Sequence, residues 1–475
     1  MRKTKIVCTL GPASRDENTI EELIKAGMNV ARLNFSHGEH DYHKETIDAI
    51  KKVRSRLNAP VAILLDTKGP EIRLGKFEND SVVLKDGEKF TLTSDEVLGN
   101  EKIATMSYKQ LPSQLKEGNT ILINDGNVRL IVDNVDGNNI NCTVVNGGEI
   151  GNRKGINIPR VHLDMPFISE RDKSDLLFGI ENDVDFIAAS FVRTADDIIS
   201  MRKFVDFHGG RNIGIISKIE NTEGIDNFDE ILALSDGIMI ARGDMGAEVE
   251  FERLPGIQKR CISKCYRSGK MVITATQMLE SMTHNPRPTR AEITDVANAV
   301  FDGTSAVMLS GETAVGKFPV NVVKVMAKIA EQAEIDALNL KAYKTEYDLD
   351  FTDTTNAICD AACTTARDIK ATAIVALTKY GQTARRMSKF RPAVPIVAAT
   401  PVEKTFYQLS LSWGVYPVLA LEQKTSDELL LHAADCAKLI DIAKDGDRVV
   451  IAAGIPLDTS GSTNLIKVSV VGERV

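Results

Sequence analysis

A lysine and two carboxylates stand where consecutive apolar runs of this chain end. Ile-Ile-Ser-Lys-Ile-Glu-Asn at 215–221 puts Lys218 and Glu220 on one face of an extended segment, with Ile219 between them on the other. Ala-Arg-Gly-Asp at 241–244 closes the next apolar run and sets Asp244 just beyond a tight Arg242-Gly243 turn. A fixed ammonium beside two carboxylates suits a divalent cation together with a phosphate or enolate oxygen. The same three groups could instead form a structural ion-pair network at a barrel rim, because such networks also gather charge.

A second constellation lies upstream. In Asn29-Val-Ala-Arg-Leu-Asn-Phe-Ser-His-Gly38, Arg32, Asn34 and Ser36 alternate onto one face. They offer a guanidinium fork for phosphate and neutral oxygens for a hard cation. Asp66 and Thr67 end a third apolar run and add a carboxylate and further oxygens. Oxygen donors without nitrogen or sulfur ligands suit an alkali or alkaline-earth ion, the alternative being a hydrogen-bonded polar rim.

The elements that must carry these groups are legible as eight apolar runs, at 5–10, 29–33, 61–65, 186–191, 213–217, 237–241, 271–275 and 306–309, with helical patterns between them. Runs apolar on both faces predict parallel strands covered by helices, and eight such units predict a (β/α)8 TIM barrel with its chemistry at the C-terminal strand ends. Between the third and fourth runs the character changes. Short alternating stretches at 81–84, 89–93, 120–123 and 139–145 are punctuated by Asp-Gly, Asn-Gly and Gly-Gly turns. They predict a small antiparallel β-barrel inserted at 70–166, hinged near Gly69-Pro70 and Asp164-Met-Pro166 and placed to act as a lid. The barrel then occupies 1–69 and 167–345. Beyond a polar stretch at 339–353, a helix at 354–369 and strands at 373–377, 395–399, 415–421, 448–453 and 465–471 predict a doubly wound C-terminal α/β domain over 346–475.

Composition excludes several classes. A net charge of −8 on 475 residues argues against a nucleic-acid partner, which needs a basic face. No apolar run approaches the ~18 residues of a membrane span, and the amino terminus has no signal-peptide core, so the reading is cytoplasmic. The seven cysteines lack framework or zinc spacing, and Cys261/Cys265 and Cys359/Cys363 read as reduced thiols on helix faces. Gly311 to Lys317 matches a phosphate-loop pattern, but Phe318 stands where a Ser or Thr would hold magnesium and Pro319 follows. This segment reads as the last strand-to-helix loop of the barrel.

Together the motifs Thr4-Lys-Ile-Val-Cys-Thr-Leu-Gly-Pro-Ala-Ser14, Asn29 to Gly38, Leu65-Asp-Thr-Lys-Gly-Pro-Glu-Ile-Arg73, Ser217-Lys-Ile-Glu-Asn221, Ala241-Arg-Gly-Asp244, Ala275-Thr-Gln-Met-Leu-Glu-Ser-Met282 and Met308-Leu-Ser-Gly-Glu-Thr-Ala314 strongly resemble the pyruvate kinase family, in order along the chain. The resemblance implies phosphoryl transfer from phosphoenolpyruvate to ADP, giving ATP and, after protonation of the enolate, pyruvate. It implies Glu220 and Asp244 as ligands of Mg2+ or Mn2+, and Asn34, Ser36, Asp66 and Thr67 as the K+ site. Lys218 and Arg32 would hold the transferring phosphate, Gly243 the substrate carboxylate through its amide, and Thr276 the face of enolate protonation. Asn34, Phe35, Ser36, His37, Arg73 and Lys154 match nucleotide-binding positions, and Glu71 is the residue type that accompanies potassium dependence. A homotetramer is implied as well.

The loop Thr378-Lys-Tyr-Gly-Gln-Thr383 opens a helix whose amides favour an anion. The resemblance assigns Thr378, Lys379, Tyr380, Gly381, Gln382 and Thr383 to a sugar-phosphate or AMP effector, with a second polar loop at 459–464. Ser305 stands where many relatives have aspartate, Tyr380 and Gln382 depart from the pattern of some animal enzymes, and the chain stops at Val475 without the extra C-terminal domain of some bacterial members. Two competing readings are a lyase or aldolase of the phosphoenolpyruvate/pyruvate barrel group and a non-catalytic sugar-phosphate sensor. The first should lack the lid and the Arg32 cluster; the second should have lost Lys218, Glu220, Asp244 or Thr276.

Overall fold

The computed structural model describes residues 1–339, 353–423, 425–456 and 463–473. Its centre is a closed barrel of β1 (Lys5–Thr9), β2 (Val30–Asn34), β3 (Ala62–Asp66), β4 (Phe186–Ala189), β5 (Gly214–Ile219), β6 (Gly237–Ala241), β7 (Met271–Ala275) and β8 (Ala306–Leu309). Each strand pairs in parallel with its neighbours in sequence, and β1 closes on β8. All eight expected runs form these strands, with ends shifted by one or two residues.

Both faces of each strand are apolar because each packs into a different core. Ile6 and Cys8 join the layer beneath the helices, whereas Val7 joins Leu64, Phe186, Ile216, Met239 and Ile273 inside the barrel. Such continuous burial needs a parallel sheet covered by helices.

The inserted segment has its own core, from Ile72 to Ile158. Its strands pair as a seven-stranded sheet plus a two-stranded ribbon, Gly148–Gly151 with Ser81–Leu84. The hydrogen bonds therefore do not close into the expected antiparallel barrel, and one pair, Lys89–Thr93 with Ile103–Thr105, is parallel. Turn dipeptides reveal hairpins but not the register of strands that pair across long connections.

The C-terminal domain is a five-stranded sheet of β9 (Ala373–Leu377), β10 (Ile396–Thr400), β11 (Val415–Leu419), β12 (Arg448–Ala453) and β13 (Leu465–Val470), in the order β11-β10-β9-β12-β13 with only β13 antiparallel. It docks on the N-terminal end of the barrel, where Leu411 enters the barrel core. Lys5 Nζ donates to the Val415 carbonyl at 2.6 Å and lies 4.6 Å from the Tyr416 ring centre. Burial, with Arg2 adding to it, pushes this ammonium down to about 7. The expected boundary between barrel and C-terminal domain, at 345/346, lies outside the described residues. All seven cysteines are free thiols, six of them buried, and no helix among the described residues is long and apolar enough to cross a membrane.

Gly69, at the first expected hinge, has φ +74°, and a Cβ there would lie 2.8 Å from the Ser190 Cβ. Gly87 shares the left-handed conformation, φ +81°, but faces open space. Alanine at either position carries strain of about 1–3 kcal/mol. Gly69→Ala should therefore lower the denaturant midpoint further than Gly87→Ala; equal losses would show that the approach to Ser190 does not matter.

Candidate functional site

At the C-terminal mouth of the barrel, β2, β3, β4 and β5 deliver one buried polar cluster. Asp66, at the end of β3, is fully buried and accepts from Arg32 Nε at 2.6 Å and from Lys218 Nζ at 3.0 Å. The register explains the meeting: Asn34 pairs with Asp66 and Arg32 with Leu64, so Arg32 and Asp66 fall on the same face of the sheet, one step apart. Lys218 also lies 3.0 Å from Glu220 Oε1, its neighbour two residues on. Glu220 Oε2 accepts from the Phe191 amide at 2.7 Å.

Charge distribution in this cluster is uneven. Burial works against the Asp66 charge, but Arg32 and Lys218 outweigh it and hold the carboxyl below the usual range. Burial likewise opposes the Lys218 charge, and Asp66 and Glu220 overcome it, so the ammonium stays protonated. Burial pushes Glu220 up to about 7, with Asp244 and Asp66 adding to the push against Lys218. Asp244 is also raised, chiefly by burial. Two neighbouring carboxyls are thus short of positive charge while the third is fully compensated.

Asp244 is not beyond a turn, as the sequence suggested. The chain enters the helix Arg242–Glu248 directly from β6, and Asp244 lies in its first turn. The Arg-Gly pair read as a turn signal, but the Arg242 side chain pins the helix start by donating to the Thr276 carbonyl at 2.6 Å and pairing with Asp295 at 2.7 Å. Thr276 has φ +66°, an outlier for a β-branched residue. Such strain costs about 1–3 kcal/mol and persists only where neighbours impose it. Here Arg242 does so, and the Thr276 hydroxyl accepts from the Gly243 amide at 2.8 Å. In this state that amide is taken.

A cavity of about 660 Å³ lies between barrel and lid. Of the expected residues, Asp244, Arg73 and Lys154 line it, together with Glu71 and Asp125. Glu71 pairs with Arg73 Nε at 2.6 Å. Arg32, Lys218, Glu220 and Thr276 are not on its wall, so the buried cluster and the lid cavity are adjoining compartments that meet at Asp244. Lid-to-barrel contacts, His162 Nδ1 to Glu223 at 2.9 Å and Asn157 to Glu248 at 3.3 Å, cross the edge of the same cavity.

The Asn34 side chain accepts from the Ser36 amide at 3.1 Å, and His37 is exposed beside them. Phe35 differs from its expected role, because its ring is buried and stacked 4.0 Å from His43. Only its backbone is left for a ligand. Thr67 follows Asp66, and its carbonyl accepts from Ser190 Oγ at 2.6 Å.

Ser190 was missed by sequence reasoning. It is buried, accepts from Lys218 Nζ at 2.6 Å and also reaches Asp66 at 3.2 Å. Its position at the end of the fourth run was the available signal. Arg32 is held as well by Thr9, whose hydroxyl accepts from Nη1 at 2.8 Å.

In the C-terminal domain, the Thr378 hydroxyl accepts from the Gly381 amide at 2.9 Å and the Thr383 hydroxyl bonds Thr463 at 2.8 Å. Tyr380 is exposed, and Lys379 lies 3.5 Å from Glu422. Gln382 begins the helix Gln382–Lys389, whose N-cap is Gly381 in the left-handed conformation, φ +83°. Thr378 and Lys379 line a cavity of about 120 Å³ with Glu422 and Gly454. Most of the second polar loop, 459–462, lies outside the described residues.

Comparison with known proteins agrees with this geometry. Residues 1–323 match the model "Pyruvate kinase, barrel domain", and residues 356–469 match "Pyruvate kinase, alpha/beta domain". A pyruvate kinase of Clostridium acetobutylicum is 49% identical over 99% of this chain and 100% of its own length. One of Staphylococcus saprophyticus is 48% identical over 100% of this chain and 81% of its own. The crystal structure of a pyruvate kinase from Cryptosporidium parvum superposes with a TM-score of 0.91 at 39% identity, covering 99% of this chain and 96% of that one. Barrel, lid, C-terminal sheet and charged cluster all fall within these matches, and the chain belongs to the pyruvate kinase family.

Proposed function

We propose that this chain transfers the phosphoryl group of phosphoenolpyruvate to ADP, with protonation of the resulting enolate to pyruvate. The observation that carries the reading is the buried Arg32–Asp66–Lys218–Glu220 cluster opening through Asp244 onto the lid cavity. Phosphoryl transfer asks a protein chiefly for positioning and charge stabilisation. Lys218, held protonated by two carboxylates, faces the charge that develops on the moving group, and Arg32 grips it from the β2 side. Thr276 is fixed over the enolate face, and the Gly243 amide reaches the substrate carboxylate by giving up the Thr276 hydroxyl that it now meets at 2.8 Å. Arg73 and Lys154 meet the nucleotide from the lid, with the Asn34 to His37 turn opposite. Lid closure excludes the water that would otherwise accept the phosphate. The lyase and sensor readings lose ground because the lid, the Arg32 cluster and Lys218, Glu220, Asp244 and Thr276 are all in place.

The donor set fits a divalent cation. Glu220 and Asp244 are both raised by burial, and Glu220 Oε1 has the Lys218 ammonium at 3.0 Å as an ion-pair partner but makes no well-directed hydrogen bond. They would hold Mg2+ or Mn2+, which supplies positive charge to substrate oxygens when bound. Among the described residues no group of three or more His, Cys, Asp or Glu gathers here, and the protein would offer the cation two carboxylates. The oxygens of Asn34, Ser36, Asp66 and Thr67 fit K+. We further assign the protein to the cytoplasm, as a homotetramer.

Three outcomes follow. In a coupled assay for pyruvate, activity should need both a divalent ion and potassium, and Lys218→Met should lose about 10²–10³-fold in kcat. Normal turnover by the variant, or full rates without potassium, would refute the assignment.

Without metal, folded Glu220 keeps its proton to about 7, against 4.5 for an ordinary glutamate. The folded state then binds more protons than the unfolded one across that window, so stability falls as pH rises through it. The unfolding free energy of metal-free protein, read from denaturant titrations, should decline from pH 5 to 7 relative to Glu220→Gln by an amount on the order of a few kcal/mol, and Mg2+ should reverse the decline. A constant difference between the two proteins would contradict the buried-carboxyl account.

The third outcome concerns an effector at Thr378, Lys379, Tyr380, Gly381, Gln382 and Thr383. AMP, ribose 5-phosphate, glucose 6-phosphate or fructose 1,6-bisphosphate should lower the apparent KM for phosphoenolpyruvate, and Lys379→Ala should blunt the response. No activation and no calorimetric binding by any of the four would remove the site.

A further inference from the structure

A second polar cavity, of about 360 Å³, lies in the seam between the N-terminal end of the barrel and the C-terminal domain. It is on the opposite side of the barrel from Asp244. Its walls carry Arg202 from the helix Ala195–Phe207, Arg211 and Asn212 from the loop that follows, Asp236 ahead of β6, Arg385 from the helix Gln382–Lys389, and Gln408. Three guanidinium groups therefore face one carboxylate.

That carboxylate is already engaged, because Arg202 Nη2 donates to Asp236 at 2.7 Å. Arg211 makes no ion pair or side-chain hydrogen bond among the described residues. Arg385 donates from Nη1 to the Tyr380 carbonyl at 3.0 Å, while its Nε is buried without a hydrogen-bond partner. Burial, only partly offset by Asp236, holds this guanidinium below its ordinary range. The alternative is that these arginines merely fasten the two domains. Fastening is done by other groups: Gln408 Nε2 donates to the Asp185 and Asn212 carbonyls at 3.0 and 2.8 Å, and Lys404 bonds Asp183 and Val184. This fastening leaves Arg211 and the Arg385 Nε, both on the cavity lining, as unused donors.

We propose that this seam cavity binds a phosphate group, as the free ion or carried on a small metabolite. Guanidinium forks match phosphate oxygens in pairs, and the cavity has room for the group and its hydration. Arg385 also lies over Gly381, where a Cβ would be 3.1 Å from its guanidinium carbon. An anion in the seam thus draws on the guanidinium that holds the Tyr380 carbonyl. Binding in the seam does not depend on whether the Thr378 to Thr383 loop takes an effector.

The test is calorimetric titration of inorganic phosphate, AMP and ribose 5-phosphate into the full chain and into Arg211→Glu, Arg385→Gln and Lys379→Ala. Arg211 is exposed, so its replacement leaves the fold intact. Phosphate held at the catalytic mouth is common to all four proteins. The seam predicts one class of site that weakens at least 10-fold in both arginine variants and is unchanged in Lys379→Ala. Tighter AMP or ribose 5-phosphate binding at that site identifies a metabolite as the carrier, and no preference identifies the free ion. Wild-type stoichiometry and affinity in both arginine variants, or loss of the same site in Lys379→Ala, would overturn the proposal.

Discussion

The site depends on one carboxylate placed between two cations in the absence of water. Asp66 is fully buried, yet it remains ionised because Arg32 and Lys218 bracket it at 2.6 and 3.0 Å. Removing it would leave the buried Arg32 without its carboxylate and Lys218 with Glu220 alone, a loss of about 3–5 kcal/mol for a broken buried pair. Its neighbours on the other side of Lys218 are in the reverse condition. Glu220 and Asp244 are both pushed up chiefly by burial, Glu220 further by Asp244 and Asp66, and Asp244 by Glu71 and Asp125. Carboxyls whose environments drive them apart in this way have separate roles: one keeps the cations in place, and the others await further positive charge.

That division of labour follows from the barrel. Parallel strands bring their C-terminal ends to one mouth, and each strand contributes only a residue or two before its chain leaves. Arg32, Asp66, Ser190, Lys218 and the Arg242–Glu248 helix come from five consecutive strands. The lid leaves the ring between β3 and β4, so its two tethers emerge beside Asp66 and near Ser190. The close approach of Gly69 to Ser190 ties the hinge to the residue that holds Lys218. At the other end, burial of Lys5, Leu411 and Trp413 joins the C-terminal domain to the barrel floor.

Much of this was legible in the sequence because buried parallel strands are apolar on both faces and end in polar residues. The alternation of Lys218 and Glu220 placed them together, and the helix pattern at 354–369 corresponds to Thr354–Asp368. What escaped was information held in the third dimension. Ser190 looked like one polar residue closing a run, since its partners Asp66 and Lys218 lie 124 and 28 positions away. The left-handed Thr276 is imposed by Arg242 and leaves no local trace. Phe35 sits within a polar motif, but its ring turns to His43 because the β2-to-helix connection folds back over the helix layer. The lid's register was hidden because alternation identifies faces, not partners.

The insertion also sets the order in which the protein can be assembled on a ribosome. Lys218 follows Asp66 by 152 residues. At about 5–20 residues per second, that separation amounts to roughly 8–30 s of synthesis. Over that interval Arg32 can reach Asp66 but Lys218 does not yet exist, and β3 waits with an open hydrogen-bonding edge until β4 arrives. The whole lid emerges in between, with an apolar core of its own that can collapse first. An edge of continuous apolar strand held open that long invites pairing with other chains. The nascent protein thus carries an exposed strand edge while the residues between the two halves of its future active site are being made.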